Sequence, residues 1–142
     1  MTPLSRVPNA VRLCLAIGIA TACQDPAVAL TSENNVRVTN TPTLFRIQAD
    51  NLDNVIDDTT FTWATTLSQA QVVHVGLITH GEGDLVVHDA NDSLVYSGIL
   101  EYEKDSLTYI GPNKGTPGNW TVEIILKAAT GKVDVTLQTP PP

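Results

Sequence analysis

The chain has 142 residues, with 8 Lys+Arg against 15 Asp+Glu and a formal net charge of −7. That length is room for one domain, and 42% hydrophobic residues against 16% charged can bury a core, which excludes disorder throughout. The acidic balance repels phosphate backbones and 5% aromatics leave few rings for stacking, so no nucleic-acid partner is expected.

Residues 1–12 carry Arg6 and Arg12 and no acid; a ten-residue apolar run, 13–22, follows and ends at Cys23. A basic start, a short apolar stretch and small residues before a break describe a secretory signal. A spanning helix needs about 20 apolar residues, twice this run, so no transmembrane segment is expected. The stretch Ile19-Ala20-Thr21-Ala22-Cys23 resembles the bacterial lipoprotein signal, although Ala20 stands where leucine is commoner. The resemblance implies that 1–22 is a signal peptide and that Cys23 is lipidated and becomes the first mature residue. Two or more acyl chains then give a stable lipid anchor in the membrane. A plain secretory signal cut after Ala22 or Ala29, with Cys23 incidental, is the alternative. Asp25 does not directly follow the cysteine, so the inner-membrane retention signal of enteric bacteria is not matched, and an outer-membrane lipoprotein of the cell envelope is expected.

Removal of the signal takes Arg6, Arg12 and Cys14 with it, leaving a mature charge of −9 and no pair of cysteines for an internal disulfide. Stability must then come from the core. Residues 23–35 read as the lipidated cysteine and a polar tether. The globular unit runs over 36–138, and 139–142 is a proline-rich tail that cannot donate to a sheet.

Within the body, alternation dominates. Trp120, Val122, Ile124 and Leu126 share one face of a strand; Val133, Val135 and Leu137 share one face of another. Folding them about 128–131 as a hairpin sets Leu126 beside Val133 and Val122 beside Leu137, with both apolar sets on one side. A second hairpin is predicted about Gly81-Glu82-Gly83, pairing His80 with Asp84 and Leu77 with Val87. A third turn, 89–93, leads to Leu94-Val95-Tyr96 and places Val87 opposite Tyr96. Shorter strands are predicted at 36–38, 44–47, 61–63 and 107–110. About eight strands with turns every ten residues or so predict an all-β, antiparallel, two-sheet β-sandwich of jelly-roll type, with a small closed barrel as the alternative.

Three segments sit together: GDLVVHDANDSLVYSG (83–98), GTPGNWTVEIIL (115–126) and GKVDVTLQ (131–138). Their order resembles the pre-peptidase C-terminal-type and related small β-sandwich modules of exported bacterial proteins. The resemblance spans about 61–138 and implies an accessory role in secretion, anchoring or attachment, with calcium bound in some members.

His74, His80 and His88 fall on the polar face of the predicted second hairpin, with His74 and His88 diagonal neighbours and Asp84 beside His80. Imidazoles on adjacent strands are zinc or copper ligands when their heads converge, so His74 and His88 are the candidate zinc pair, set against the simpler reading of solvated side chains. Asp50, Asp53, Asp57 and Asp58, with Asn51 and Asn54, form an acidic stretch that reads as a solvated loop or, alternatively, as a calcium site; it lacks the glycine and closing glutamate of an EF-hand. Asp89, Asn91 and Asp92 form a second such turn. No Gly-x-Ser-x-Gly elbow occurs, Ser68, Ser93, Ser97 and Ser106 have no histidine and carboxylate at hand, and Glu101 and Glu103 lie on one strand face without a cleft. No catalytic residue is assigned and an enzyme is not expected. Trp63 and Trp120 share faces with apolar residues and belong to the core, while Tyr102 and Tyr109 are the surface candidates. Asn119-Trp120-Thr121 matches a glycosylation acceptor by chance in a bacterial chain.

The function expected from the sequence is a non-catalytic envelope module that binds an envelope protein or a glycan. The alternatives are a calcium-stabilised adhesion or accessory module, and a metal-binding protein that uses the histidines. No cofactor is required by the first reading, and calcium is the cofactor of the second.

Overall fold

The computed structural model describes residues 29–75, 77–100, 106–111 and 114–142, with the side chains of 106–109 left aside. Seven strands lie among them: β1 (Arg37–Thr41), β2 (Leu44–Thr65), β3 (Ala70–His74), β4 (Ile78–His88), β5 (Leu94–Ile99), β6 (Ser106–Ile110) and β7 (Gly118–Gln138). All pairings are antiparallel and belong to one hydrogen-bonded sheet.

The sheet is organised by two long strands. The first half of β2 pairs with β1 and with the end of β7, as in Ile47 opposite Val38 and Val135. Its second half pairs with the start of β7, as in Trp63 opposite Trp120. β3 and β6 extend the sheet beside the end of β7, while β4 and β5 extend it beside the start. A strand of 22 residues would span roughly 70 Å if straight. Instead Phe45 and Phe61, near its two ends, touch with ring centroids 5.7 Å apart. The Trp63 indole donates to the Thr41 carbonyl (2.6 Å) and the Thr65 hydroxyl to the Pro42 carbonyl (2.7 Å), so the sheet is doubled over on itself.

The bend follows from residues that accept left-handed backbone. β2 shifts register three times between Ala49 and Asp57, with Asn51 at φ 56° and Asn54 at φ 51°. β7 carries Ala128 at φ 51° and Gly131 at φ 130°; β4 has two further shifts, between Ile78 and His80 and between His80 and Glu82, with Gly81 at φ 74° in the second. Asparagine and glycine tolerate this region, and bulges increase local twist and bend a strand. The three bulged segments are neighbours, with Gly131 opposite both Leu52 and Ile78, so the bend crosses the sheet as one line.

Between the two halves lies a single core. Phe45, Ile47, Val133, Val135 and Leu137 of one half and Trp63, Leu85, Val87, Trp120, Val122 and Ile124 of the other are all buried. Trp63 and Trp120 meet edge to face, 5.6 Å and 81° apart, as the sequence reading of both as core requires.

Three expectations are corrected. Residues 120–137 do not form a hairpin: 128–131 is a bulge inside the continuous β7, where Leu126 lies opposite Asp57 and Gly83, and Val133 opposite Ala49. Both apolar sets do face one core, but by bending of the sheet and not by reversal of the chain. Likewise Gly81-Glu82-Gly83 is no loop; β4 runs through it and pairs Glu82 with Lys127. The acidic stretch 50–58 is the bulged bend of β2 and not a loop. The turn at 89–93 does form, and Val87 is opposite Tyr96 as read from the sequence.

Candidate docking groove

Just before β1, residues 29–36 run beside the second half of β2 instead of standing clear as a tether. Ser32–Asn34 form one 3-10 turn capped by Thr31, whose hydroxyl accepts from Glu33 N (3.3 Å). The buried Asn34 accepts from Thr31 N (2.8 Å) and donates to the Asn51 carbonyl (3.0 Å), tying the turn to the bulge of β2. Leu30 N donates to Asp57 Oδ2 (3.2 Å). Asn35, at φ 48°, then turns the chain into β1.

This arrangement leaves a groove of about 470 Å³ between the 30–36 segment and β2, with Leu30, Val36, Thr59 and Phe61 as its apolar and small walls and Asp57 at one end. Further along β2 the Asn40 amide donates to the Thr62 carbonyl (2.8 Å). Val36 and Val38 stay 38% and 43% exposed beside it, and Ile56 is 53% exposed at the bend. A polar cavity of about 440 Å³ on the far side of the capped turn is lined by Thr31, Glu33, Asn34, Asn51 and Asp53. Among the described residues, neither cavity has a lysine, arginine or histidine in its lining.

The edge of β2 along this groove is open: among the described residues, no strand pairs with 57–65 on the side away from β7. Backbone direction alternates along a strand, so parity decides which groups face out. Gly83 O accepts from Leu100 N on the β5 side, which directs 84, 86 and 88 of β4 toward β7. Carried across the pairings, 120, 122 and 124 then face β2, and Asp58, Thr60 and Thr62 face outward. The contact of Asn40 with Thr62 O agrees independently.

The outer face of the same half-sheet is polar. Glu123 sits between Asp58 of β2 and His88 of β4. Burial, a hydrogen bond with Asp58 and repulsion from it raise the Glu123 carboxyl above its ordinary range, and His88 opposes this. Lys127 holds Asp84 (2.9 Å) and Glu82 (3.4 Å), and this pairing raises its own pKa. On the other half, Arg46 grips Asp134 with two bonds of 3.0 and 2.8 Å.

The candidate site residues fall as follows. The four carboxylates of 50–58 are not gathered at one point. Asp50 pairs with Arg37 (3.0 Å) and lies 3.8 Å from Lys132; Asp57 accepts from Leu30 N, Asp58 N (2.9 Å) and the Thr59 hydroxyl (2.9 Å); Asp58 meets Glu123, and Asp53 lines the polar cavity. His74 and His88 are not neighbours: His74 is buried on β3 opposite Val135, and His88 is on β4 opposite Thr121, across the bend. The histidine face depended on the hairpin that does not form. His80 is exposed, with Nδ1 3.3 Å from the Thr79 hydroxyl. Among the described residues, no group of three or more His, Cys, Asp or Glu side chains is placed to hold a metal ion. Asp89 is buried as the cap of its turn, accepting from Asn91 N, Ser93 N and Thr116 N at 2.8–2.9 Å. Cys23, Glu101, Tyr102 and Glu103 lie outside the described residues. Among the described residues no helix is long and apolar enough to cross a membrane.

Sequence reasoning missed the groove because it needs a segment read as tether laid beside the second half of β2. The available signal was Leu30 and Val36 flanking the capping pattern Thr31-Ser32-Glu33-Asn34. A scan against family models and a search of curated proteins gave no match.

Proposed function

We propose that this chain is a non-catalytic binding module of the bacterial envelope, exported and held at the outer membrane through lipidated Cys23. Its doubled-over sheet is read as a small β-sandwich whose two layers share β2 and β7. The observation that carries the binding role is the groove beside the open edge of β2, where Leu30, Val36 and Phe61 stand next to backbone groups without a strand partner among the described residues. Exposed sheet edges are what natural proteins cover unless a partner uses them.

The anchor and the groove fit together. Five residues separate Cys23 from Ala29, a reach of at most roughly 20 Å over the six steps, so a lipidated chain presents the groove close to the membrane surface. The partner of this reading is an envelope protein.

Two experiments test it. Acyl labelling and fractionation of the full chain in a bacterial host should show lipid on the wild type and release of Cys23→Ala from the membrane. A photo-crosslinking residue at Thr59, in the groove, should give a discrete adduct in intact cells, and the same residue at Thr39, on β1, should not. Equal labelling at both positions, or none at Thr59, rejects the binding role.

A further inference from the structure

Resting on that reading, we infer that the groove takes an extended, basic peptide segment of a partner protein, added antiparallel or parallel to the edge of β2. Three observations converge. The outward-facing N–H and C=O of Thr60 and the N–H of Thr62 offer a short ladder, bounded by Asn40 on the Thr62 carbonyl and by Leu30 on Asp57. Strand addition uses such backbone groups for affinity and pockets for alternate side chains for register. On the inward side of that ladder, Val36, Leu30 and Phe61 receive the alternate side chains, and 470 Å³ fits one or two aliphatic groups and no bulky helix.

Charge selects the partner. Asp57 lies in the groove, Glu33 and Asp53 line the adjoining cavity, and Asp58 is the next outward residue of the edge. The bonds to Asp57 come from neutral N–H and O–H donors, which leave its charge uncompensated. The nearby Arg37 is instead committed to Asp50. An acidic rim with no lining cation among the described residues favours lysine or arginine at the ends of the incoming strand and disfavours an acidic one. A second copy of this chain, itself at −9 once the signal is removed, is a poor match for the same reason.

The probe is a short peptide alternating threonine and valine with lysine at both ends, titrated into the full chain and followed by amide chemical shifts. We expect shifts confined to residues 30–36 and 57–62. Affinity should fall about tenfold or more when glutamate replaces the lysines, and it should weaken as salt rises. Blocking alternate peptide amides by N-methylation should abolish binding. Thr60→Pro removes an outward N–H that takes no part in the β2–β7 ladder, so the fold should survive, as checked by its melting curve, while binding is lost. Val36→Asn, which removes the apolar wall without adding charge, should weaken binding of the valine-bearing peptide. Equal binding of the glutamate peptide, indifference to Thr60→Pro, shifts elsewhere, or dimerisation of the chain through these residues each overturns the inference. If no peptide binds yet Thr59 still crosslinks in cells, the basic-strand inference alone fails; if neither occurs, the binding role fails with it.

Discussion

Phe45 and Phe61 belong to one strand and lie sixteen residues apart in it, yet their rings touch at 5.7 Å and 54°. The contact exists because the bulges between them bend β2 over on itself, and it joins the two halves of the fold across one core. Phe45 is fully buried, so Phe45→Ala should cost about 3–5 kcal/mol in urea unfolding. A double-mutant cycle with Phe61→Ala should return a coupling of about 0.5–1.5 kcal/mol. Additivity of the two changes would show that the halves do not pack there.

The bend line gives a prediction of opposite signs. A methyl on Gly81 would be driven into the Ala128 carbonyl oxygen, in a conformation that L residues rarely adopt. Gly81→Ala should therefore destabilise by roughly 2–4 kcal/mol. Ala128, itself at φ 51°, should gain about 0.5–1 kcal/mol when replaced by glycine, since the left-handed cost exceeds the added chain entropy. Thermal melts of the two variants check both signs.

Asp89 dictates behaviour in acid. The N–H groups of Ser93, Thr116 and Asn91 bind its charged form and hold its pKa below the ordinary value. The stability it contributes is present above the unfolded-state value and is lost as pH falls through the lower, folded one. Asp89→Asn should lower Tm at neutral pH and flatten the acid limb of a Tm–pH profile.

Glu123 acts with the reverse sign. Burial and its contact with Asp58 raise its pKa, so the native state binds the proton more tightly than the unfolded chain. Its contribution is fully present below the unfolded-state value and is lost as pH rises through the folded one. Glu123→Gln should raise Tm near neutral pH and leave it little changed in acid, as a Tm–pH profile checks.

Calcium provides a separate check. Because the carboxylates of 50–58 are spread along the bend and, among the described residues, no group of three is placed to hold a metal ion, Tm of the full chain should be the same in EDTA and in millimolar calcium. A calcium-specific rise that Asp57→Ala removes would assign the bend of β2 to a calcium site instead.

Alternation along the chain was enough to determine the β class and much of the interior, since Trp63, Trp120, Val122, Ile124, Val133 and Val135 are all core, but it put His74 on the polar face of its strand, where the structure buries it beside Val72. It also determined the 89–93 turn, where Asp89 bonds locally and nothing distant is needed. What tertiary structure alone decided is connectivity. A glycine or asparagine with positive φ serves a hairpin and a bulge equally well, so 81–83 and 128–131 each read as a reversal. The choice depends on whether the next residues pair with their own strand or with a distant one, and here β2 supplies that partner to both halves of β7. The site depended on the same choice. The histidines dispersed once the 81–83 hairpin was gone, and the groove exists only because bending brings Phe61 beside Leu30 and Val36.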